Sequence, residues 1–278
     1  MRSVRLPDGT AVSALGQGTW FMGEGRNPAA QEAAALRLGI ELGMSLIDTA
    51  EMYADGGAEK VVAEAIAGQR DRAFVVSKVY PQNATRAGVP AACERSLQRL
   101  RTDFIDLYLL HWRGAAPLVE TVAAFERLRE QGKIRHWGVS NLDADDMAEL
   151  HGVAGGAGCA TDQVLYNPEH RGIEFDLLPW CAAHAMPVMA YSPVGQAGRL
   201  LRAPALVAVA ARHGVTVAQA SLAWALRQPG IVAIPKAADP AHVRQNAAAG
   251  EITLTPADLA EIDVAWPPPR RKKNLAML

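Results

Sequence analysis

Hydrophobic positions along this chain switch between two spacings. Short apolar runs recur eight times, at residues 14–19, 46–49, 74–78, 105–111, 136–140, 162–166, 188–192 and 231–235, and each reads as a strand. Between them, segments such as QEAAALRLGIELG, AEKVVAEAIAG, AACERSLQRL, LVETVAAFERLREQG and VAQASLAWALRQ carry apolar residues at helical spacing. Gly43, Gly68 and Gly132 follow three of these helices, where a left-handed C-cap residue belongs. The strand ends at 48, 78, 111 and 140 keep a beat of about thirty residues, and the interval from 192 to 235 is longer. Eight β/α units predict an α/β fold, a closed (β/α)8 TIM barrel in preference to an open doubly wound sheet. Ahead of the barrel, SVRLPDGTAVS predicts a β-hairpin turning at Asp8-Gly9, serving as a lid or plug. No linker or break in composition interrupts the pattern, so residues 1–278 are expected to form a single barrel domain.

Composition narrows the function classes. Lys and Arg total 28 against 29 Asp and Glu, for a net charge of -1, so no broad electrostatic footprint for nucleic acid or anionic lipid is present. The opening MRSVRLPDGT lacks the apolar core of a secretory signal, and no apolar run approaches the ~18–20 residues of a membrane helix. A cytoplasmic protein is expected. Cys93, Cys159 and Cys181 form no CxxC pair, and the seven histidines never fall into HxH or HExxH spacing, so no catalytic metal is expected. GQGTWFMG offers a G-x-G, but Phe21 stands at the third glycine position of the dinucleotide fingerprint and no helix opens at once, which argues against a Rossmann site.

In such a barrel the C-terminal strand ends share one mouth. Asp48, Lys78 and His111 close three consecutive strands, and Tyr53 lies in the loop after Asp48. The group suits proton donation to a carbonyl oxygen. A tyrosine titrating near pH 10 is a weak donor; a neighbouring Lys78 ammonium is expected to lower its pKa, and Asp48 to keep Lys78 charged. His111 is expected to donate a hydrogen bond to the substrate oxygen. A Schiff-base aldolase with Lys78 as nucleophile is the alternative from another enzyme class.

The motifs DTAEMY, VSKVY, LYLLHW, KIRHWGVSN, QVLYN, AYSP and IPKA, spread over nearly the whole chain, resemble the landmarks of the aldo-keto reductase superfamily in order and spacing. GQGTW, DTAEMYADGGAEKVV, SKVYP, DLLPWC and MPVMAYSP are similar to bacterial members that reduce methylglyoxal and other aldehydes. The resemblance implies a (β/α)8 barrel that binds NADPH without a Rossmann fold and reduces a small carbonyl substrate. Tyr53 would be the general acid, Lys78 and Asp48 its tuning pair, and His111 the residue that orients the carbonyl. It also implies that Tyr191 stacks under the nicotinamide, that Ser140, Asn141 and Gln163 hold its carboxamide, and that Ser192 opens a cofactor-clasping segment running to Pro204. Trp20, Tyr80 and Trp112 would line the substrate pocket. At the adenosine end Lys236 and Asn246 match the family pattern, but Ala237 replaces a serine and His242 an arginine. NADPH is therefore expected to be preferred over NADH by a narrower margin than usual. A monomer is expected, and a barrel that senses cofactor without catalysis is the remaining alternative.

Overall fold

The computed structural model describes residues 2–278. The hairpin pairs β1 (Ser3–Arg5) with β2 (Ala11–Ser13) in antiparallel register from Ser3 opposite Ser13 to Arg5 opposite Ala11. Eight further strands follow: β3 (Gln17–Gly18), β4 (Leu46–Asp48), β5 (Phe74–Val79), β6 (Ile105–Leu110), β7 (Ile134–Ser140), β8 (Cys159–Leu165), β9 (Val188–Tyr191) and β10 (Ile231–Ala233). Each is parallel to the next in chain order. Bridges from Leu15 to Ala233 and from Gly18 to Lys236 join the first of these strands to the last and close the barrel. The chain at this seam runs very close to its neighbours. A Cβ on Gly16 would come within 2.9 Å of the Leu46 carbonyl oxygen, and one on Gly18 within 2.8 Å of the Ile234 carbonyl oxygen, so only glycine fits either place.

The helices are α1 (Ala29–Glu41), α2 (Gly57–Ile66), α3 (Gly88–Leu100), α4 (Leu118–Glu130), α5 (Ala144–Gly152), α6 (Leu177–Ala183), α7 (Pro204–His213), α8 (Val217–Leu226), α9 (Pro240–Ala249) and α10 (Pro256–Ala265). The long interval before β10 holds both α7 and α8. Gly214, at φ +62, ends the first, and a capping box between Thr216 and Gln219 starts the second. Among the described residues no single helix is long and apolar enough to cross a membrane.

Two apolar layers hold the barrel. Inside it, Val76, Leu109, Met189 and Val232 share one cluster with Leu6 and Val12 of the hairpin. The hairpin is thus a plug, and it lies at the strand starts, where Asp8 approaches the His136 imidazole at 3.5 Å near the beginning of β7. Outside the barrel, alternate residues of the same strands pack against the helices. Trp137 of β7 stacks on Phe125 of α4 at 5.6 Å, and Tyr108 of β6 meets the same ring edge-on at 5.8 Å. Each such fully buried side chain contributes roughly 1.5–3 kcal/mol, so the mouth opposite the hairpin is free to carry polar groups.

Candidate active site

Side chains alternate along a strand, and this places the polar residues at the mouth. Asp48, Lys78, His111, Tyr191 and Lys236 each stand two residues beyond an inward-facing apolar residue: Leu46, Val76, Leu109, Met189 and Ile234. Asp48 pairs with Val76 and Lys78 with Leu109, so the strand ends lie at adjacent levels. Tyr53 arrives from the loop after β4, in a tight turn where Ala54 and Asp55 take φ +51 before Gly56 at φ +80.

Lys78 is fully buried, and its Nζ donates to three acceptors: Asp48 Oδ2 at 2.8 Å, the Thr49 carbonyl at 2.9 Å and the Tyr53 hydroxyl at 3.0 Å. Burial disfavours the ammonium, but Asp48 and then Tyr53 outweigh it, so the Lys78 pKa lies above its ordinary value. Tyr53 departs from expectation. Burial pushes its pKa up, Lys78 pulls it down only in part, and Asp48 pushes it up again, so the phenol lies above its ordinary pKa and not below it. Desolvation of the phenolate exceeds the attraction of one ammonium whose charge is shared with a carboxylate. The phenol therefore stays protonated, with the Lys78 ammonium hydrogen-bonded to its oxygen.

His111 is buried, with its ring edge-on to Tyr53 at 5.8 Å between centroids. Burial, reinforced by the charge on Lys78, lowers its pKa to about 2, so the imidazole is neutral at any ordinary pH. Its Nδ1 has no partner among the described residues. The unfolded chain takes up this proton near pH 6.5 and the folded state does not, so stability falls as pH drops below that value. Between pH 7.5 and 5.0 the wild type is expected to lose about 2 kcal/mol more stability than His111→Asn, measured by urea unfolding. Equal losses in the two proteins would show that the imidazole is not held neutral.

Above these groups opens a cleft of about 610 Å³. Trp20, Tyr53, His111 and Trp112 line one part of it, Ser140, Asn141, Gln163, Tyr191 and Ser192 another, and Lys236 a third. Tyr80 is not among the lining residues; it stands edge-on behind Trp112 at 5.9 Å. His242 and Asn246 lie on α9 and do not line the cleft. The polar wall is internally wired. Ser140 Oγ donates to the Gln163 carbonyl at 2.7 Å, Asn141 Nδ2 to the His111 carbonyl at 3.2 Å and the Tyr191 hydroxyl to Asn141 Oδ1 at 3.0 Å. Gln163 Nε2 donates to Asp48 Oδ1 at 2.7 Å, which ties this wall to the Lys78 cluster.

Asn141 sits at φ +60 and Ser192 at φ +48, conformations uncommon outside glycine. Asn167 helps hold Ser192 there by donating Nδ2 to its carbonyl at 2.9 Å. Sequence reasoning gave no role to Asn167, to the Gln163–Asp48 contact, or to Phe21 and Arg26, which line the cleft together with Met277 and Leu278 of the C-terminal tail. Asn167 is visible in the QVLYN motif, and Phe21 beside Trp20 stands out in the sequence only as a missing glycine. The donor set fits a nicotinamide cofactor: an aromatic face at Tyr191 flanked by amide and hydroxyl groups, and a cation at Lys236 in the same cleft for a phosphate.

Residues 14–267 match the aldo/keto reductase family. Over 281 aligned residues, covering 100% of this chain and 99% of the other, the sequence is 55% identical to the methylglyoxal reductase YeaE of Escherichia coli (strain K12). It is 33% identical to the glyoxal reductase of Bacillus subtilis (strain 168), covering 94% of this chain and 91% of that one. A crystal structure of an aldo/keto reductase from Klebsiella pneumoniae in complex with NADP and acetate superposes with a TM-score of 0.97 at 56% identity, covering 99% of each chain. By sequence and by fold alike, this chain belongs to the aldo/keto reductase family.

Proposed function

We propose that the protein reduces small aldehydes and ketones to alcohols with NADPH, and that Tyr53 donates the proton. The observation that carries this reading is the Lys78 ammonium bonded at once to Asp48 and to the Tyr53 hydroxyl at the floor of the cleft. NADPH, when bound, supplies the hydride. Tyr191 would support the nicotinamide face, with Ser140, Asn141 and Gln163 at its carboxamide and Lys236 at the adenosine phosphate. The neutral His111 imidazole donates a hydrogen bond to the carbonyl oxygen and fixes its approach. As negative charge builds on that oxygen, the Tyr53 proton moves to it, and Lys78 stabilises the phenolate left behind.

The aromatic walls of Trp20 and Trp112, with Tyr80 behind the latter, suit methylglyoxal-like and aryl aldehydes. The names of the Escherichia coli and Bacillus subtilis relatives point the same way. Turnover of a panel of small aldehydes, followed by loss of NADPH absorbance, tests the reading; no turnover of any member would overturn it. An aldolase is disfavoured, because all three Lys78 protons are engaged and the ammonium is held charged. Borohydride is expected to trap no Lys78 adduct.

Lys236 is the family-matched cation for the 2'-phosphate. NADPH is expected to show the higher kcat/KM, by a margin reduced by Ala237 and His242. Lys236→Met is expected to raise the Kd for NADPH about tenfold and that for NADH by less than about twofold. A wild-type preference for NADH would contradict the assignment. The reading also takes the protein as cytoplasmic and as a monomer, and sedimentation velocity would test the second.

A further inference from the structure

The loop after β3 carries an unusual construction. Phe21 has φ +70, a conformation that L residues with bulky side chains avoid. The surroundings hold it there. Its ring stacks on Trp20 at 4.4 Å and 14° between planes, and the next residue, Met22, is fully buried with its N–H bonded to the Thr19 carbonyl at 2.9 Å. Gly23, at φ +76, donates its N–H to the buried carboxylate of Glu32 at 2.8 Å. A Cβ on Gly23 would lie 2.6 Å from the Gly57 carbonyl carbon, so the loop is pinned against the start of α2. Backbone strain that is so firmly enforced gathers at binding and catalytic sites.

What the strain presents is a platform. The Arg26 guanidinium lies over the Phe21 ring, 4.0 Å from its centroid, and lines the same cleft as Tyr53, Tyr191 and Lys236. Glu24 takes the Arg26 Nε at 3.0 Å, and the two terminal nitrogens have no partner among the described residues. Those nitrogens form a planar fork suited to two oxygens of one anion. β3 meets Lys236 directly through the Gly18 bridge, so the Trp20–Phe21–Arg26 stack rises beside the seam of the barrel. Among the cleft-lining residues Gln196 and Ala197 also take positive φ, at +54 and +56.

We propose that Arg26, pre-oriented on the Phe21 ring, is a second phosphate anchor of this cleft and binds the pyrophosphate of NADP(H). This rests on the cofactor reading above and adds to it a residue that Lys236 does not replace. The pyrophosphate is common to NADPH and NADH, and the 2'-phosphate is not, so the two anchors have different signatures.

The test is tryptophan-fluorescence titration of wild type, Arg26→Gln, Arg26→Lys and Lys236→Met with NADPH, NADH and ADP-ribose. Arg26→Gln is expected to raise Kd about tenfold for all three ligands, and Arg26→Lys by a smaller factor, since it keeps the charge and loses the fork. Phe21→Ala, which removes the platform and keeps the guanidinium, is expected to weaken binding about threefold. Wild-type affinity in Arg26→Gln for NADPH and NADH would overturn the proposal and leave the cofactor reading standing. A loss confined to NADPH would assign Arg26 to the 2'-phosphate and equally overturn it. Wild-type protein that binds neither cofactor would overturn both.

Discussion

Tyr53→Phe is expected to lower kcat for aldehyde reduction by about 10²–10⁴-fold, the range a positioned general acid supplies, with the Kd for NADPH within about twofold of wild type. The change removes one oxygen. The ring that packs edge-on against His111 stays, and Lys78 keeps its bonds to Asp48 and the Thr49 carbonyl. One hydrogen bond from a charged donor, worth about 1.5–3 kcal/mol, is lost, which leaves the protein folded, and the kinetic loss reports on chemistry. Steady-state rates at saturating NADPH, with a parallel fluorescence titration, separate the two effects. Turnover near wild type would mean that another group donates the proton.

Lys78→Met is expected to reduce kcat by at least about 10²-fold and, unlike the tyrosine change, to destabilise the fold by about 3–5 kcal/mol. Methionine fills much of the same volume, so packing is not the main loss. Asp48 is 2% exposed, and without the ammonium its charge keeps only the Gln163 amide as a side-chain partner. An uncompensated buried carboxylate is expensive. Adding Asp48→Asn should recover most of the stability and none of the turnover, because the double variant removes the stranded charge without restoring the cation beside Tyr53. Urea unfolding of the two variants beside their kcat values shows the split. Recovery of turnover along with stability would mean that Lys78 acts only as a structural prop.

The barrel was legible because its signals are local and repeat. Apolar runs, glycine C-caps and a thirty-residue beat survive in the sequence, and the hairpin announces itself at Asp8-Gly9. Asp48, Lys78 and His111 were legible for a related reason: a strand of period two carries the residue two beyond the last inward apolar position into the mouth. The rest depends on contacts between distant residues. No spacing connects Gln163 to Asp48, 115 residues apart, or reveals that Phe21 takes a left-handed conformation that carries a guanidinium. Tyr53 illustrates the limit in energetic terms. Its neighbour Lys78 could be named from motif order, but the direction of its pKa turns on how dry the site is, and burial is a property of the whole fold.

The central claim is that Tyr53 waits as a protonated phenol and that neither Lys78 nor His111 beside it titrates near neutrality. Tyr53 and Lys78 both lie above their ordinary pKa values and His111 at about 2, so a flat window between them follows. The measurement is the pH dependence of single-turnover reduction at saturating NADPH, in wild type and in Tyr53→Phe. The account expects a wild-type rate that is level from about pH 6 to 9 and declines only at higher pH as the phenol ionises, with that alkaline decline absent from Tyr53→Phe. A wild-type rate that falls through a midpoint near pH 7, or an alkaline decline that persists unchanged without the phenol, would contradict it.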